Sequence, residues 1–338
     1  MADCNNLFLD YNKVITPTSA QRQKMKTSRQ ALEPKISDKL CDKLDMRPSF
    51  YTQGSDAPKM KTNIIKEDGT FDSDRGVYLP HKPDVSGETV QGYIYDAVKD
   101  HTRDGAQHRK KCIRSLFQCE YNIDFPAYYE VEGEDYAYMA VKGKEWIKDD
   151  PWHMITWLEK YKDGDGQYIR MIKYLKGWAS KRKSNGKMPS GIALAVWTAR
   201  HFYKQADRDD QCLLNLLKAI KDSTAYTVTC YAPVEPFDNL TAKLTQTQKD
   251  NFRTELCLFC EAAQKAIDEK DQLKASKIWR KYLGERFPEG VSEEDEKRAD
   301  MLLASAGIVA SGAYLGRSGH INSTSGTSHL GHRNYGGK

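Results

Sequence analysis

Hydrophobic and polar positions change period several times in the first 150 residues. Over residues 18–44, apolar side chains recur at close to four-residue spacing, which predicts one long amphipathic helix. The recurring positions are Met25, Leu32, Ile36, Leu40 and Leu44. Pro34 lies inside this segment, so we expect a kink or an interruption there. β-Branched and aromatic runs at 71–80 and 121–128 predict strands, and a helix near residues 90–100 is expected to pack between them.

From Trp152 onward the helical period dominates. The predicted helices span about residues 167–181, 190–205, 210–222, 246–268, 271–284 and 292–307. An irregular stretch at 224–239 is expected to border a ligand pocket. Together these patterns predict an α+β fold, with a mixed-sheet lobe at residues 1–148, a helical lobe at 149–315 and a tail rich in Gly, Ser and His at 316–338.

Two carboxylates stand two residues apart in the predicted strand at 71–80. Because side chains alternate across a strand, Asp72 and Asp74 project from one face, whereas Ser73 and Arg75 project from the other. Two carboxylates on one face can hold a hard cation, and magnesium takes oxygen ligands while keeping waters and substrate phosphates. An Asp-x-Asp pair also occurs in solvated turns, so the pair alone is compatible with both interpretations.

Two further segments favour a nucleotide-binding site. Gly54 and Ser55 follow an apparent strand end, where backbone amides can approach a phosphate and a helix beginning just after would aim free N–H groups at it. Asp124 is an isolated acid in an apolar strand, and an unpaired buried carboxylate is costly, so we expect it to face solvent, a cation or a metal. Taken singly, these features are also typical of an ordinary loop and an exposed strand edge.

The order of these pieces resembles nucleotidyltransferases of the polymerase β type. Residues 52–55, 71–80 and 123–126 resemble the bacterial cGAS/DncV-like nucleotidyltransferases, the CD-NTase family, within a likeness over residues 5–310. Gly-Val-Tyr-Leu-Pro at residues 76–80, separated from the second acid by Arg75, is the most diagnostic part. The resemblance implies a polymerase β-like nucleotidyltransferase lobe packed against a C-terminal α-helical lobe.

The same resemblance implies an activity. Such an enzyme would use Mg²⁺, with Mn²⁺ as a substitute, to make a cyclic di- or trinucleotide and release pyrophosphate. Its substrates would be ATP, GTP or other nucleoside triphosphates, and its product a purine-containing second messenger such as cyclic GMP-AMP. The family's role is anti-phage (CBASS) signalling, which this chain is expected to share.

The resemblance also assigns roles to single residues. It implies that the metal ligands and catalytic residues are Asp72, Asp74 and Asp124. It implies that donor phosphates bind at Gln53, Gly54, Ser55, Lys176 and Ser190. From the residues alone, Lys176 is typical of a solvated helix lysine and Ser190 of a helix cap beside Pro189.

One position departs from the family pattern. Asp56 follows the Gly-Ser pair where relatives often have an aromatic or aliphatic residue. A carboxylate beside a triphosphate repels it unless a cation such as Lys59, Lys61 or a metal compensates. We therefore expect donor binding to be weaker or differently arranged at this turn.

Composition agrees with an enzyme that handles small anions. The 338 residues are 39% hydrophobic, and the net charge of +5 suits nucleotides without requiring nucleic acid. The N-terminus lacks the basic start and apolar core of an export signal, so we expect a cytoplasmic protein with no membrane association. The eight cysteines show no disulfide spacing, and we expect Cys257 and Cys260 in a helix core rather than in a zinc or redox centre.

The C-terminal sequence raises a further hypothesis. Its Gly-rich end resembles the tails of family members that a ubiquitin-like E1–E2 enzyme pair joins to a target through a terminal glycine. Lys338 departs from that pattern and would have to be removed first to expose Gly337.

Three other functions use the same features. A nucleotidyltransferase acting on a protein, a tRNA or an antibiotic would leave nucleotide attached to its acceptor, and a linear oligonucleotide synthase would leave a phosphatase-sensitive triphosphate end. A non-catalytic nucleotide-binding scaffold is the third alternative. Three mutually repelling carboxylates argue against it, because a scaffold has no physical need for them.

Overall fold

The computed structural model describes residues 2–118, 120–292, 294–295, 297–298 and 301–302, and the backbone of three two-residue strands beyond them. Its α-helices are α1 (Asn5–Ile15), α2 (Ser19–Leu44), α3 (Gly87–Val98), α4 (Pro151–Glu159), α5 (Gln167–Arg182), α6 (Gly191–His201), α7 (Asp209–Ser223), α8 (Gln246–Asp268) and α9 (Gln272–Leu283). The predicted helix over 292–307 lies largely outside the described residues, and so does the conjugation site predicted at Gly337 and Lys338.

The strands form one large sheet and one small one. In the large sheet these are β1 (Ser49–Gln53), β2 (Phe71–Leu79), β3 (Ala106–His108), β4 (Ile113–Phe117), β5 (Tyr121–Phe125), β6 (Ala127–Glu130), β7 (Ala137–Met139) and β8 (Ile147–Asp149). The small sheet consists of β9 (Tyr314–Leu315), β10 (Ile321–Asn322) and β11 (Thr327–Ser328), with β9 in the middle.

Strand β2 is at the centre of the large sheet. β1 pairs antiparallel with one edge of β2, while β5 and then β6 pair parallel with the other edge on either side of Pro126. Antiparallel strands extend the sheet from β5 through β4 to β3, and from β6 through β7 to β8. The mixed sheet predicted from the sequence is confirmed.

Helices α2 and α3 cover one face of this sheet. Leu32, Ile36 and Leu40 of α2 are fully buried in a core shared with α3 and the strands. The helix begins at a capping box in which the Thr18 hydroxyl accepts a hydrogen bond from the Gln21 backbone N–H. The interruption expected at Pro34 is wrong, because α2 continues through it. Pro34 lies on the exposed side, where water can satisfy the carbonyl that loses its partner, while the buried residues around it hold the helix on the sheet.

The helical lobe has a core of its own, formed by α4–α9 together with α1. Phe8 of α1 contacts Tyr174 and Trp279 edge to face, at ring-centroid distances of 5.1 and 4.9 Å. Tyr11 is fully buried and donates a hydrogen bond to the Leu283 carbonyl at 2.9 Å. The first helix therefore packs with the second lobe, which the predicted division at residue 148 did not include.

The structure bears on two predictions from the sequence, one about membrane spans and one about the two cysteines of α8. Within the described helices, none is long and apolar enough to cross a membrane. In α8, Cys260 is buried as expected, but Cys257 is exposed. The two sulfurs are three residues apart, about 300° around a helix of 3.6 residues per turn, so the apolar stripe that buries one leaves the other in solvent.

Candidate active site

The two acids of β2 project from the same face, as the alternation predicts. Phe71, Val77 and Leu79 fill the opposite face of the strand and are fully buried under α2 and α3. Asp72 and Asp74 are half-buried and line a cavity of about 760 Å³ between the lobes. The size is that of a small-molecule site, since such sites span roughly 300–1,000 Å³.

The third acid reaches the first two through strand register. β5 runs parallel to β2 with Asn122 opposite Asp72 and Asp124 opposite Asp74. Residues opposite each other in neighbouring strands project from the same face, so all three carboxylates lie on the cavity side of the sheet. This register joins residues that are fifty positions apart in the sequence.

Asp72 is held by polar partners. Lys66 forms an ion pair with its Oδ2 atom, and Asn122 Nδ2 donates a hydrogen bond to Oδ1 at 3.0 Å. Burial alone would raise the pKa of Asp72, but the charges of Lys66 and Arg114 outweigh it and hold the pKa below its usual value. Asp72 is therefore a stable anion at neutral pH.

Asp74 has no such support. Among the described residues, no cation lies within 4 Å of its carboxylate. Burial, followed by repulsion from Asp124 and Asp72, raises the pKa of Asp74 to about 7. The Asp74 carboxylate therefore has no ion-pair partner within the described residues, and only the more distant charges of Arg114 and Lys176 favour its anionic form.

Arg114 occupies the space beside Asp124 and was not identified from the sequence. Its Nε and Nη2 atoms donate to the two oxygens of Asp124 at 2.7 and 2.6 Å, and its Nη1 atom is 3.5 Å from Asp72 Oδ1. β4 places Arg114 directly opposite Asp124 in an antiparallel pair. The available signal was a single arginine between Ile113 and Ser115, both buried, in the strand that precedes Asp124.

The donor set fits a hard divalent cation. Three carboxylates project from one face of the sheet, and burial with repulsion from the other two disfavours the charge of Asp74, which a cation would relieve. Within the described residues, no three acidic, Cys or His side chains already stand in a ligand arrangement. Both oxygens of Asp124 accept from Arg114 instead.

The Gly-Ser segment forms a tight turn beside the acids, which we name the phosphate turn (Gly54–Asp56). It is a single 3₁₀ turn at the end of β1, and the α-helix envisaged just after it is not formed. Gly54 has φ +63°, and a Cβ atom there would lie 2.2 Å from Asp74 Oδ2. Only glycine permits this backbone to approach the carboxylate so closely. Ser55 lines the cavity.

The Gln53 side chain, next to the phosphate turn, forms hydrogen bonds with two tyrosines. Its Nε2 atom donates to the Tyr128 hydroxyl and its Oε1 atom accepts from the Tyr78 hydroxyl, both at 2.9 Å. The two tyrosine rings stack at 4.6 Å, and Tyr128 in turn donates to Asp149 at 3.4 Å. The Gln53 side chain is therefore buried and engaged, and it holds the end of β1 in place.

Lys176 and Ser190 meet at the wall formed by α5 and α6. Lys176 Nζ donates to the backbone carbonyl and the hydroxyl of Thr62, both at 3.0 Å, and lines the cavity. Burial lowers the pKa of Lys176 to about 8, although Asp74 nearby opposes this. Ser190 caps α6 by accepting from the Ala193 backbone N–H at 3.3 Å, the structural role considered for it. Its neighbours Pro189 and Gly191 line the cavity.

Two acids outside β2 also line the cavity. They are Asp149 and Asp238, and apolar side chains such as Met139 and Leu240 line it with them. Asp238 belongs to the irregular stretch at 224–239, which was predicted to border a ligand pocket and does so.

Asp56 does not face the cavity. It is 8% exposed and turns toward α2, where it forms ion pairs with Arg22 and Arg29. The repulsion expected between Asp56 and a bound triphosphate is therefore wrong. The compensating cations are these arginines, and Lys59 instead pairs with Glu159 at 3.2 Å.

Known proteins resemble this chain both in the segment that carries the three acids and in the fold. Residues 48–128 match the family model described as the nucleotidyltransferase domain of cyclic GMP-AMP synthase DncV-like proteins. A cyclic AMP-AMP-AMP synthase of Acinetobacter sp. (strain ATCC 27244 / 9458) is 26% identical over 167 residues, which are 47% of this chain. That alignment spans 48% of the relative's length.

Two solved structures superpose over most of the chain. The Vibrio cholerae DncV cyclic AMP-GMP synthase has a TM-score of 0.72 at 15% identity and covers 85% of this chain and 97% of its own. The Bradyrhizobium diazoefficiens CD-NTase CdnG, solved with GTP, has a TM-score of 0.71 at 12% identity and covers 84% and 95%. At such identities the likeness establishes the fold. The domain match over residues 48–128, which includes β2 and Asp124, adds that this segment is similar to the nucleotidyltransferase domain of DncV-like proteins, so the chain has a DncV-like nucleotidyltransferase fold.

Proposed function

We propose that this protein joins ribonucleoside triphosphates and closes the product into a ring, in a reaction that depends on Mg²⁺ or Mn²⁺. The observation that carries the proposal is that Asp72, Asp74 and Asp124 project from one face of the sheet, with Asp72 and Asp74 lining the cavity beside the phosphate turn. The similarity to a cyclic AMP-AMP-AMP synthase and a cyclic AMP-GMP synthase supports purine substrates such as ATP and GTP.

Each residue has a role in this proposal. Asp72 and Asp74 would hold the cations, with Asp124 joining them on the acceptor side when it leaves Arg114. Amides of the phosphate turn and the Ser55 hydroxyl would bind donor phosphates, whose charge Lys176 would help to neutralise. When bound, the metal would neutralise charge on the phosphates and acidify the attacking ribose hydroxyl.

The chemistry is a phosphoryl transfer without a covalent enzyme intermediate. The acceptor ribose oxygen forms a bond to the α-phosphorus of the donor, the bond from that phosphorus to the β-phosphate oxygen breaks, and pyrophosphate leaves with the electron pair. The ribose proton passes to a nearby base, for which Asp124 is the candidate. Repeating the step with the remaining hydroxyl of the linear product, turned over in the cleft, closes the ring.

The test is a product assay with a matched control. The chain is incubated with four labelled nucleoside triphosphates and Mg²⁺ or Mn²⁺, treated with phosphatase and separated by chromatography. A phosphatase-resistant product is expected from the wild type and from Asp10→Asn, whose carboxylate is on the surface, but not from Asp72→Asn/Asp74→Asn. Omitting one nucleotide at a time then identifies the bases and, with mass spectrometry, the ring size.

Other results would support other functions. Phosphatase-sensitive oligomers would favour a linear synthase, and label retained on a macromolecule or drug would favour transfer to that acceptor. Nucleotide binding without any product would favour the scaffold.

The anti-phage role and the E1–E2 partner are finer proposals that rest on the family. They are tested in cells by phage challenge with the wild type and the double variant, and by a mass shift at the C-terminus. Loss of protection in the double variant is expected for a defence enzyme, whereas an unchanged C-terminal mass would contradict conjugation.

A further inference from the structure

The phosphate turn is anchored on the side opposite the cavity by a buried cluster, the Asp56 anchor (Arg22, Arg29, Asp56, Ser73). The Asp56 carboxylate accepts from Arg29 Nη1 at 3.0 Å and from Arg22 Nη1 at 3.3 Å. The Ser73 hydroxyl donates to the same carboxylate at 3.1 Å. Thus one acid of the turn is bound both to helix α2 and to strand β2.

The Arg29 guanidinium links three neighbouring segments of the site. It donates to Thr52 at 3.3 Å in the strand that leads into the turn, to Asp56 at the end of the turn, and to Ser73 Oγ at 2.9 Å. Ser73 lies between Asp72 and Asp74 but projects from the opposite face of β2. One guanidinium therefore contacts β1, the phosphate turn and the strand that carries two of the acids.

The spacing that this anchor fixes is very tight. A Cβ atom on Gly54 would lie 2.2 Å from Asp74 Oδ2, so the turn backbone runs directly against the carboxylate. A donor triphosphate must be reached by the turn amides and by a cation on Asp74 at the same time. A shift of the turn by a fraction of an ångström would disturb one contact or the other.

We propose that Asp56 is a positioning residue that sets the distance between the phosphate turn and Asp74, and thereby the binding of the donor triphosphate. This inference rests on the proposed function. It also gives a role to the residue in which this chain departs from the family pattern. The Asp56 carboxylate makes a charged contact to two arginines of α2.

Removing Asp56 also leaves Arg29 without its acid, and breaking a buried ion pair destabilises a fold. The control must therefore lose similar stability without moving the turn. Glu33→Gln meets this need, because Glu33 pairs with Arg75 at 2.7 Å between the same helix and the same strand, with both side chains 20% exposed. Neither residue belongs to the turn.

The experiment measures binding first, so that it does not depend on product formation. Wild type, Asp56→Asn, Arg29→Gln, the Arg29→Gln/Asp56→Asn double variant and Glu33→Gln are titrated by calorimetry with α,β-methylene-ATP and α,β-methylene-GTP in Mg²⁺, and with AMP and GMP. Thermal unfolding of each variant is recorded alongside. The same variants are then assayed for pyrophosphate release.

For Asp56→Asn we expect triphosphate-analogue binding to weaken at least about tenfold and kcat/KM to fall about 10²-fold, the scale of a small misplacement in an active site. Monophosphate binding should stay within about twofold, as should every binding constant of Glu33→Gln, the range of a change that touches no binding group. Arg29→Gln/Asp56→Asn should be no worse than the weaker single variant, because both break the same link.

Three outcomes would overturn the inference: triphosphate binding by Asp56→Asn equal to wild type, an equal loss for triphosphate and monophosphate, or an equal loss in Glu33→Gln. The same experiment can contradict the proposed function independently of the inference about Asp56. If wild type binds the analogues but makes no product, the function is wrong while Asp56 is still tested. If wild type binds neither analogue, both are wrong.

Discussion

Two aspartates in this molecule are surrounded in opposite ways. Asp209, at the start of α7, is fully buried and accepts from Arg170 Nε and Nη2 at 2.6 and 2.8 Å, from Tyr174 at 2.8 Å and from Gln167 at 2.9 Å. Asp74 faces two other acids and, in the part of the chain described, no cation within 4 Å. The first carboxylate is paired and hydrogen-bonded by the protein itself, whereas the second has no ion pair or hydrogen bond among the described residues.

The difference between Asp209 and Asp74 distinguishes a carboxylate that stabilises the fold from one suited to bind a ligand. It rests on the contacts of this chain alone. A buried charge is tolerated when it is paired and hydrogen-bonded, and Asp209 meets that condition completely. Asp74 does not meet it, and burial with repulsion raises its pKa to about 7. Four substitutions test this division.

The largest effect is expected from Asp74→Asn. If Asp74 is a cation ligand as proposed, its loss should lower product formation by about 10³-fold or more, since several kcal/mol of charge stabilisation are lost and each ~1.4 kcal/mol is tenfold. The metal-free variant should melt at a higher temperature than wild type, because the repulsion from Asp72 and Asp124 is gone. Activity assays and thermal unfolding in EDTA measure both. A lower melting temperature would contradict the functional interpretation of Asp74.

Asp209→Asn should lower the stability of the fold and leave the specific activity unchanged. Removing one partner of a buried ion pair costs about 3–5 kcal/mol of the free energy of unfolding. The folded fraction should keep its specific activity, because Asp209 does not line the cavity. Urea unfolding gives the first quantity and an activity titration the second. The control Asp10→Asn, at a surface pair with Lys13, should change stability by less than about 0.5 kcal/mol.

Gly54→Ala tests the closeness of the turn to Asp74. The added methyl group would collide with the carboxylate, and φ is +63°, which costs an L-residue roughly 1–2 kcal/mol. We expect kcat/KM to fall about 10²-fold through displacement of the turn. Gly69→Ala is the control, since it has φ +80° but nothing within 4 Å of a new Cβ atom. Equal losses of activity in both variants would contradict the role of the close approach.

The smallest effect is expected at Lys173, which is 7% exposed on α5 and donates to Thr16 Oγ1 at 3.0 Å. Burial, with Arg22 and Arg170 nearby, lowers the pKa of Lys173 to about 8 from 10.5. The folded protein therefore binds this proton less tightly than the unfolded chain, so wild-type stability should rise relative to Lys173→Met as pH increases from about 8 to 10.5.

Lys173→Met should thus be the more stable protein at pH 7, and its advantage should shrink above pH 8 and be constant above about 10.5. Thermal unfolding of both proteins between pH 7 and 10 measures this difference. An advantage that grows with pH would show that Lys173 is paired with an anion in the folded protein.

Local patterns predicted the elements well because they depend on neighbours in the sequence. The two-residue spacing of Asp72 and Asp74 was enough to place them on one face, and four-residue spacing was enough for α2. Both follow from backbone geometry alone. Pro34 was misjudged because its effect depends on the exposure of one carbonyl and on the packing of the residues around it.

The parts that were not predicted depend on register and direction across long separations. Nothing near Arg114 in the sequence indicates that its guanidinium takes both oxygens of Asp124, since the antiparallel pairing of β4 and β5 decides it. The direction of Asp56 is set by the path of a single 3₁₀ turn and by arginines 27 and 34 residues earlier. The sequence shows which residues are charged, whereas the partners of each charge depend on the fold.

The packing of α1 has a consequence for how the lobes are connected. α1 lies in the helical-lobe core, α2 covers the sheet, and the segment with Ala57, Met60 and Ile64 returns to the helical-lobe core before β2 begins. The chain thus passes between the two cores several times before α4 begins at Pro151. The lobes are therefore interlaced rather than joined by a single linker, and a cut near residue 148 would not yield two independent folding units.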